Sequence, residues 1–298
     1  MQVRFALTPP GSALAAPAFA TWLAAVERSG FDAIWLSDLP LGPHGDPVVS
    51  LSFAAAITTR LKLGANIVPL GRNALWLAKQ LAELDQRTNG RLLLSFVPGL
   101  GHASERAALG YADDARGDAL ETIMDLLRRW WRGDEVNANC EGARYDGIAL
   151  APQPRQQPLE IWLGGKGRAA LERVARVGDG WLTSVLTPAE AGRGRQFILA
   201  RARDLGWSID IEHFGISIPY ANGTPSAAAL AALRARRTDG KLDEIVADRA
   251  SALSALVRAH LDQGLTKFVV RPLDAFAVDG DWRADLDRLA HTLLPLQT

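Results

Sequence analysis

The chain has 298 residues, 48% of them hydrophobic, with 33 basic and 33 acidic side chains and a formal net charge of zero. That balance leaves no broad basic field for nucleic acid or an anionic membrane, and the single cysteine, Cys140, excludes an intrachain disulfide or a cysteine-built metal centre. No stretch of about 18 apolar residues runs free of charge and the N-terminus lacks a signal-peptide pattern, so a cytoplasmic protein with no membrane span is expected.

In chain order, short β-like runs alternate with longer helical ones. VRFALT (3–8) predicts a strand, and PAFATWLAAVERSG (17–30) a helix stopped by Gly30. DAIWLSD (32–38) is the next strand, followed by a helix over 46–59 that opens on Asp46-Pro47. LKLGANIV (61–68) and RLLLSFV (91–97) are strands, with helices over 73–88 and 114–131 after them. Residues 136–158 carry three prolines and β-like pieces, an excursion from the main rhythm. The rhythm resumes with LEIWLGG, a helix over 167–177, strand 180–186, helix 187–206 and strand 211–220. A polar, Ala-rich stretch (221–247), helix 249–263, strand 266–273 and helix 281–293 close the chain. Eight strand–helix units in about 300 residues predict one (β/α)8 barrel domain over 1–298, with an excursion after the fourth helix.

In such a barrel the functional groups gather at the carboxyl ends of the strands. The fifth strand ends in Gly164-Gly165-Lys166-Gly167-Arg168 and runs straight into a helix. Glycines let a backbone approach a ligand closely, and a helix start offers unpaired N–H groups and partial positive charge. With Lys166 and Arg168 beside it, this turn is a candidate phosphate site; the alternative is a tight strand–helix turn with solvated basic residues. A second glycine run, FVPGLGHASE (96–105), has Gly99 and Gly101 but Ser104 where a dinucleotide fingerprint needs its third glycine. The histidines at 44, 213, 260 and 291 show no metal spacing. Trp76, Trp130 and Trp131 are expected to pack in the core.

The segments ERSGFDAIWLSD, AAITTRLKLGANIVPLGRNALWLAKQLAELDQRTNGRLLLSFVPGLG, RGDALETIMDLLRRWW and PQPRQQPLEIWLGGKGRAALERVARVGDGWL, in this order, resemble the bacterial luciferase-like family. That family contains flavin-dependent monooxygenases and oxidoreductases using the deazaflavin coenzyme F420. The resemblance implies a (β/α)8 barrel with the coenzyme phosphate on Gly164 to Arg168 and the ring against Asn66 and Ile67, with a non-prolyl cis peptide between those two. It differs in two places: Asp38 is followed by Leu39 where many deazaflavin-using relatives carry histidine, and Ser95 and Val97 stand where relatives carry glycine.

Among single residues, Asp38 is a candidate ring or substrate contact or proton acceptor, and His102 a candidate acid–base group. Pro98 and Gly99 are further candidates for binding the cofactor, and Ser184 for hydrogen-bonding its phosphate. Glu105 is a further acid–base candidate, and Arg271 a group that steers an anionic tail. The expected activity is hydride transfer between F420 and an unknown small molecule, in a homodimer. The alternatives are an FMN-dependent two-component monooxygenase and a non-catalytic flavin-binding protein.

Overall fold

The computed structural model describes residues 2–15, 17–42, 44–100, 102–111, 115–140, 142–237, 239–274 and 282–298. Gly101 and the expected helix starts at 114 and 281 lie outside the described residues. The strands are β1 (Arg4–Leu7), β2 (Ala33–Ser37), β3 (Lys62–Ile67), β4 (Leu92–Phe96), β5 (Val136–Cys140), β6 (Ala143–Ile148), β7 (Ile161–Leu163), β8 (Gly180–Ser184), β9 (Phe214–Tyr220) and β10 (Lys267–Pro272). The helices are α1 (Ala18–Ser29), α2 (Pro47–Ile57), α3 (Ala74–Arg87), α4 (Ala103–Leu109), α5 (Arg116–Arg132), α6 (Arg168–Val177), α7 (Pro188–Asp204), α8 (Ala227–Arg236), α9 (Ala250–Leu261) and α10 (Trp282–Leu293). Eight parallel strands close into a barrel in the order β1-β10-β9-β8-β7-β4-β3-β2, as the alternating sequence predicts. The chain divides into two compact units, Met1–Trp35 with Leu163–Thr298, and Leu36–Trp162.

Within Leu36–Trp162, local sequence sets the element ends. Asp46 Oδ1 accepts from the amides of Val48 (2.8 Å) and Val49 (3.1 Å), and Pro47 occupies the first helical position of α2. β3 pairs with β4 in register from Leu63↔Leu92 to Ile67↔Phe96. α5 buries Leu120, Ile123, Met124, Leu127, Trp130 and Trp131 along one face. The excursion is an antiparallel hairpin, β5–β6, set against α5: Trp130 meets Tyr145 edge-on at 4.9 Å and its Nε1 donates to Ile148 O at 3.0 Å. Its return segment is fixed by Gln156, whose backbone N and Nε2 donate to the fully buried Asp85 carboxylate at 2.8 and 2.7 Å.

In the unit formed by Met1–Trp35 and Leu163–Thr298, α1 buries Phe19, Trp22, Leu23 and Val26 and stops at Gly30, whose φ of 92° suits glycine. α7 opens with a capping box between Thr187 and Glu190 and has Pro188 at its start. β10 pairs with β9 from Lys267↔Gly215 to Pro272↔Tyr220, and with β1 from Arg4↔Lys267 to Leu7↔Val270.

Four expectations are corrected. The run after β4, where no helix is expected, forms α4, and the Ala-rich stretch 221–247 contains α8. Trp130 and Trp131 are core residues, but Trp76 is 62% exposed, because the buried side of α3 is Ala74, Leu77, Ala78 and Leu81 and Trp76 faces away from it. The Asn66–Ile67 peptide is trans: among the described residues the cis bonds are Ala151–Pro152 and Gln157–Pro158. Asn66 and Ile67 keep ladder register with Ser95 and Phe96, which leaves no bulge for a cis bond to form.

Candidate functional site

Two groups of side chains stand at the carboxyl ends of strands. The first belongs to β2, β3 and β4. Asp38, just after β2, is 7% exposed, and its Oδ2 accepts from Arg72 Nη2 at 2.8 Å and from the Val68 amide at 3.1 Å. Arg72 Nη2 also donates to Asp46 Oδ2 at 2.8 Å and its Nε to Val68 O at 3.2 Å, so one guanidinium ties two carboxylates to the end of β3. Burial pushes the Asp38 carboxyl up, against the pull of Arg72. Burial acts the same way on Asp46, but Arg72 and the two α2 amides outweigh it and hold that carboxyl below its ordinary value. Asp38 is therefore an ion-paired anchor of the β3 end as well as the candidate that sequence picked out.

On the same strands the pleat sets three polar side chains in a row. Asn66 Nδ2 lies 3.5 Å from Ser37 Oγ, and Asn66 pairs in register with Ser95. Ser95 is fully buried and its hydroxyl has no hydrogen-bond partner among the described residues. An orphaned buried hydroxyl costs about 1–3 kcal/mol, so this row suits a polar edge of a ligand. Ile67 is buried beside it. Gly99 has φ +85°, and Glu105 sits against it, where a Cβ would collide with Oε1. Glu105 is buried and accepts from the Leu100 amide at 2.6 Å, and Arg116 Nη1 donates to Pro98 O at 3.2 Å, so both groups shape the Pro98–Leu100 turn. His102 is exposed at the N-cap position of α4, with no capping bond from its side chain.

The second group belongs to β7, β8 and β10. Gly165, φ +110°, lies in the turn after β7, and a Cβ there would press into Ala170 at 2.6 Å. Its carbonyl accepts from Trp181 Nε1 (2.8 Å) and Thr183 Oγ1 (3.4 Å), which fixes the turn. Gly167 is the N-cap of α6 and has no side chain to cap it, so among the described residues its first amides are left for a ligand. Gly165 to Arg168 are exposed. The turn thus fits an anion such as a coenzyme phosphate. The two cations differ from their expected roles: Lys166 Nζ donates to Arg236 O at 2.9 Å, while Arg168 pairs with Glu172 at 2.9 Å and lies 4.0 Å over the Phe197 ring. Arg168 thus offers the turn its backbone amide, its guanidinium being engaged along the helix. Burial, with Arg236 and Arg237 nearby, lowers the Lys166 pKa.

Ser184 Oγ accepts from Arg236 Nη2 at 2.9 Å. The next residue, Val185, is buried at φ 60°, a costly conformation for a β-branched side chain. Its carbonyl is held by Arg237 Nη1 at 2.9 Å, and Arg237 in turn grips both oxygens of Glu190 (2.8 and 3.0 Å) and Asp239 (2.8 Å). The Arg237 hydrogen bonds pull the Glu190 carboxyl down to about 2. Sequence reasoning missed Arg72, Arg236 and Arg237: the first lies in a turn without periodicity, the others end a helix it did not expect. Among the described residues, no group of three or more His, Cys, Asp or Glu side chains is placed to hold a metal ion, and no helix is long and apolar enough to cross a membrane.

Comparison with known proteins places this geometry in a family. Residues 4–286 match the family described as luciferase-like monooxygenase. The FMNH(2)-dependent dimethylsulfone monooxygenase of Pseudomonas fluorescens (strain Pf0-1) is 32% identical over 175 residues, covering 57% of this chain and 46% of that protein. The 5,10-methylenetetrahydromethanopterin reductase of Methanolobus tindarius is 25% identical over 181 residues, covering 60% and 54%. The match thus spans about half the length of these relatives. Among solved structures, monooxygenase RslO1 from Streptomyces bottropensis superimposes with a TM-score of 0.80 at 19% identity, over 98% of this chain and 99% of that one, a likeness of fold. The strand–helix order, the closed parallel barrel and the match over nearly the whole sequence make this chain a member of the luciferase-like monooxygenase family.

Proposed function

We propose that the protein is an oxidoreductase that binds the deazaflavin coenzyme F420 and moves a hydride between it and a small molecule. The observation that carries the reading is the uncapped start of α6, with Gly165 and Gly167 opening the backbone and Lys166 adding charge. When bound, the coenzyme supplies the redox chemistry. The chain supplies the grip: the amides after Gly167 hold the phosphate, Lys166 and Ser184 support it, and Gly164 leaves room for it. For the ring we propose Asn66, Ile67, Pro98 and Gly99, with the Ser95 hydroxyl finding there the partner it lacks. Asp38 and His102 are the proposed proton-handling groups. Asp38 acts from a position fixed by Arg72, so its reach is set by the β3 turn.

A second reading is an FMN-dependent two-component monooxygenase. It is favoured by the FMNH(2)-dependent relative and by Leu39, which leaves no histidine beside Asp38. Equilibrium titration with each coenzyme separates the two. Micromolar binding of F420 with none of reduced FMN supports the first reading; the reverse supports the second. Tight binding of either without turnover of any acceptor supports a non-catalytic flavin-binding protein. We also propose a homodimer, docked through the exposed apolar row Val49, Phe53 and Ile57 on α2 together with Trp76 on α3.

A further inference from the structure

Positive charge collects at the ends of β8 and β10 beyond what a single phosphate needs. The register Ser184↔Ser217 and Ser217↔Val269 puts these three side chains on one face, and Arg271 lies one pleat further along that face at the carboxyl end of β10. The Arg271 side chain makes no hydrogen bond or ion pair with any described residue, and the charge that acts on it among those residues is another cation, Arg236. Arg236 reaches Ser184 from the end of α8, and its carbonyl holds Lys166. The carboxylates of this region are engaged elsewhere: Glu190 and Asp239 by Arg237, and Asp274 Oδ2 by the Ser226 amide at 3.3 Å. Burial, with Arg236 adding, pushes Arg271 down to about 10.

We propose that Arg271, with Arg236 beside it, binds an oxyanion carried by the substrate, a carboxylate or phosphate monoester, separate from the α6 amides. This rests on the coenzyme reading above, which assigns those amides to the coenzyme. Two planar guanidinium groups suit such a group better than a neutral one, since each can make two parallel bonds to it. The substrate class is then an acid or a phosphate ester rather than an uncharged alkane, sulfone or alcohol.

The test uses inorganic phosphate as probe, titrated calorimetrically into protein already saturated with coenzyme. Wild type is expected to take up phosphate, Arg271→Ala to lose at least about tenfold in phosphate affinity, and Arg271→Lys to recover part of it. Coenzyme affinity stays within about twofold, and phosphate-free Arg271→Ala melts no lower than wild type, because it removes an unpaired charge. Three results overturn the proposal: no phosphate uptake by wild type, unchanged uptake by Arg271→Ala, or coenzyme affinity falling in step with phosphate affinity, which assigns the pair to the coenzyme's own tail. Should no coenzyme bind at all, the function proposed above fails by itself. The phosphate titration on coenzyme-free Gly167→Asp protein, whose α6 start is blocked, still reads the Arg271 site.

Discussion

Replacing Gly167 with aspartate should make the protein slightly more stable while removing its coenzyme. Gly167 has φ −76° and ψ 159°, open to any residue, and beyond its chain neighbours no described residue comes within 4 Å of where a Cβ would stand. An aspartate there can cap α6 as Asp46 caps α2, accepting from amides two and three residues on. Relative to glycine such a cap adds a few tenths of a kcal/mol. The same carboxylate occupies the amides assigned to the phosphate. Losing two charge-assisted hydrogen bonds at about 1.5–3 kcal/mol each removes about 3–6 kcal/mol. Each 1.4 kcal/mol is about tenfold, so a loss of at least about 100-fold in coenzyme affinity is expected. Gly167→Ala, which adds bulk without charge into open space, should stay within about threefold of wild type. Thermal melts and coenzyme titration on the three proteins provide the assay. If Gly167→Asp binds coenzyme as well as wild type, the anion does not sit on the α6 amides.

Other outcomes follow from the same geometry. Lys166→Ala should weaken coenzyme binding by about tenfold, whereas Arg168→Ala should change it by no more than about twofold, since that guanidinium is engaged by Glu172 and Phe197; titrations giving the opposite order would count against the α6 assignment. Arg237→Ala should cost about 3 kcal/mol in urea unfolding, because it frees the strained Val185 end and unpairs Glu190. Glu190 is held at about 2 against an ordinary 4.5, so its pairing stabilises the fold above pH 4.5 and is lost as pH falls towards 2. With that side chain 26% exposed, the pH-dependent part is screened to about 1–2 kcal/mol; wild type should lose it across that window and Arg237→Ala should not. Phe53→Glu should convert the proposed dimer to monomer in sedimentation velocity, and an unchanged sedimentation coefficient would place the interface elsewhere.

The barrel was legible because its periodicities are local. Strands such as β4, with its run of Leu92, Leu93 and Leu94, and helices such as α5, with its regular apolar face, announce themselves over a few residues. Punctuation was legible for the same reason: Gly30, Asp46-Pro47 and the Thr187–Glu190 box act within one turn. The glycine turn after β7 was found because a helix start and its amides are also local. What could not be read were contacts between distant positions. Arg72 reaches back 34 residues to Asp38, Arg237 reaches 47 to Glu190, and Ser184 meets Arg236 across 52. The Ala-rich α8 escaped because its apolar periodicity is weak and only Leu233 is buried in it. Trp76 was misplaced because residue type suggested burial, whereas helix phase put it outside. The cis bond was inferred from resemblance alone, and the regular β3–β4 ladder overrides it.

The proposed function rests on main-chain amides at the start of α6 holding the coenzyme's phosphate. The most direct measurement is a crystal structure of the protein saturated with F420 or reduced FMN. Phosphate oxygens are expected about 2.7–2.9 Å from at least two amide nitrogens following Gly167, with Lys166 turned towards them. Phosphate bound away from that turn, with those amides facing solvent, would contradict it.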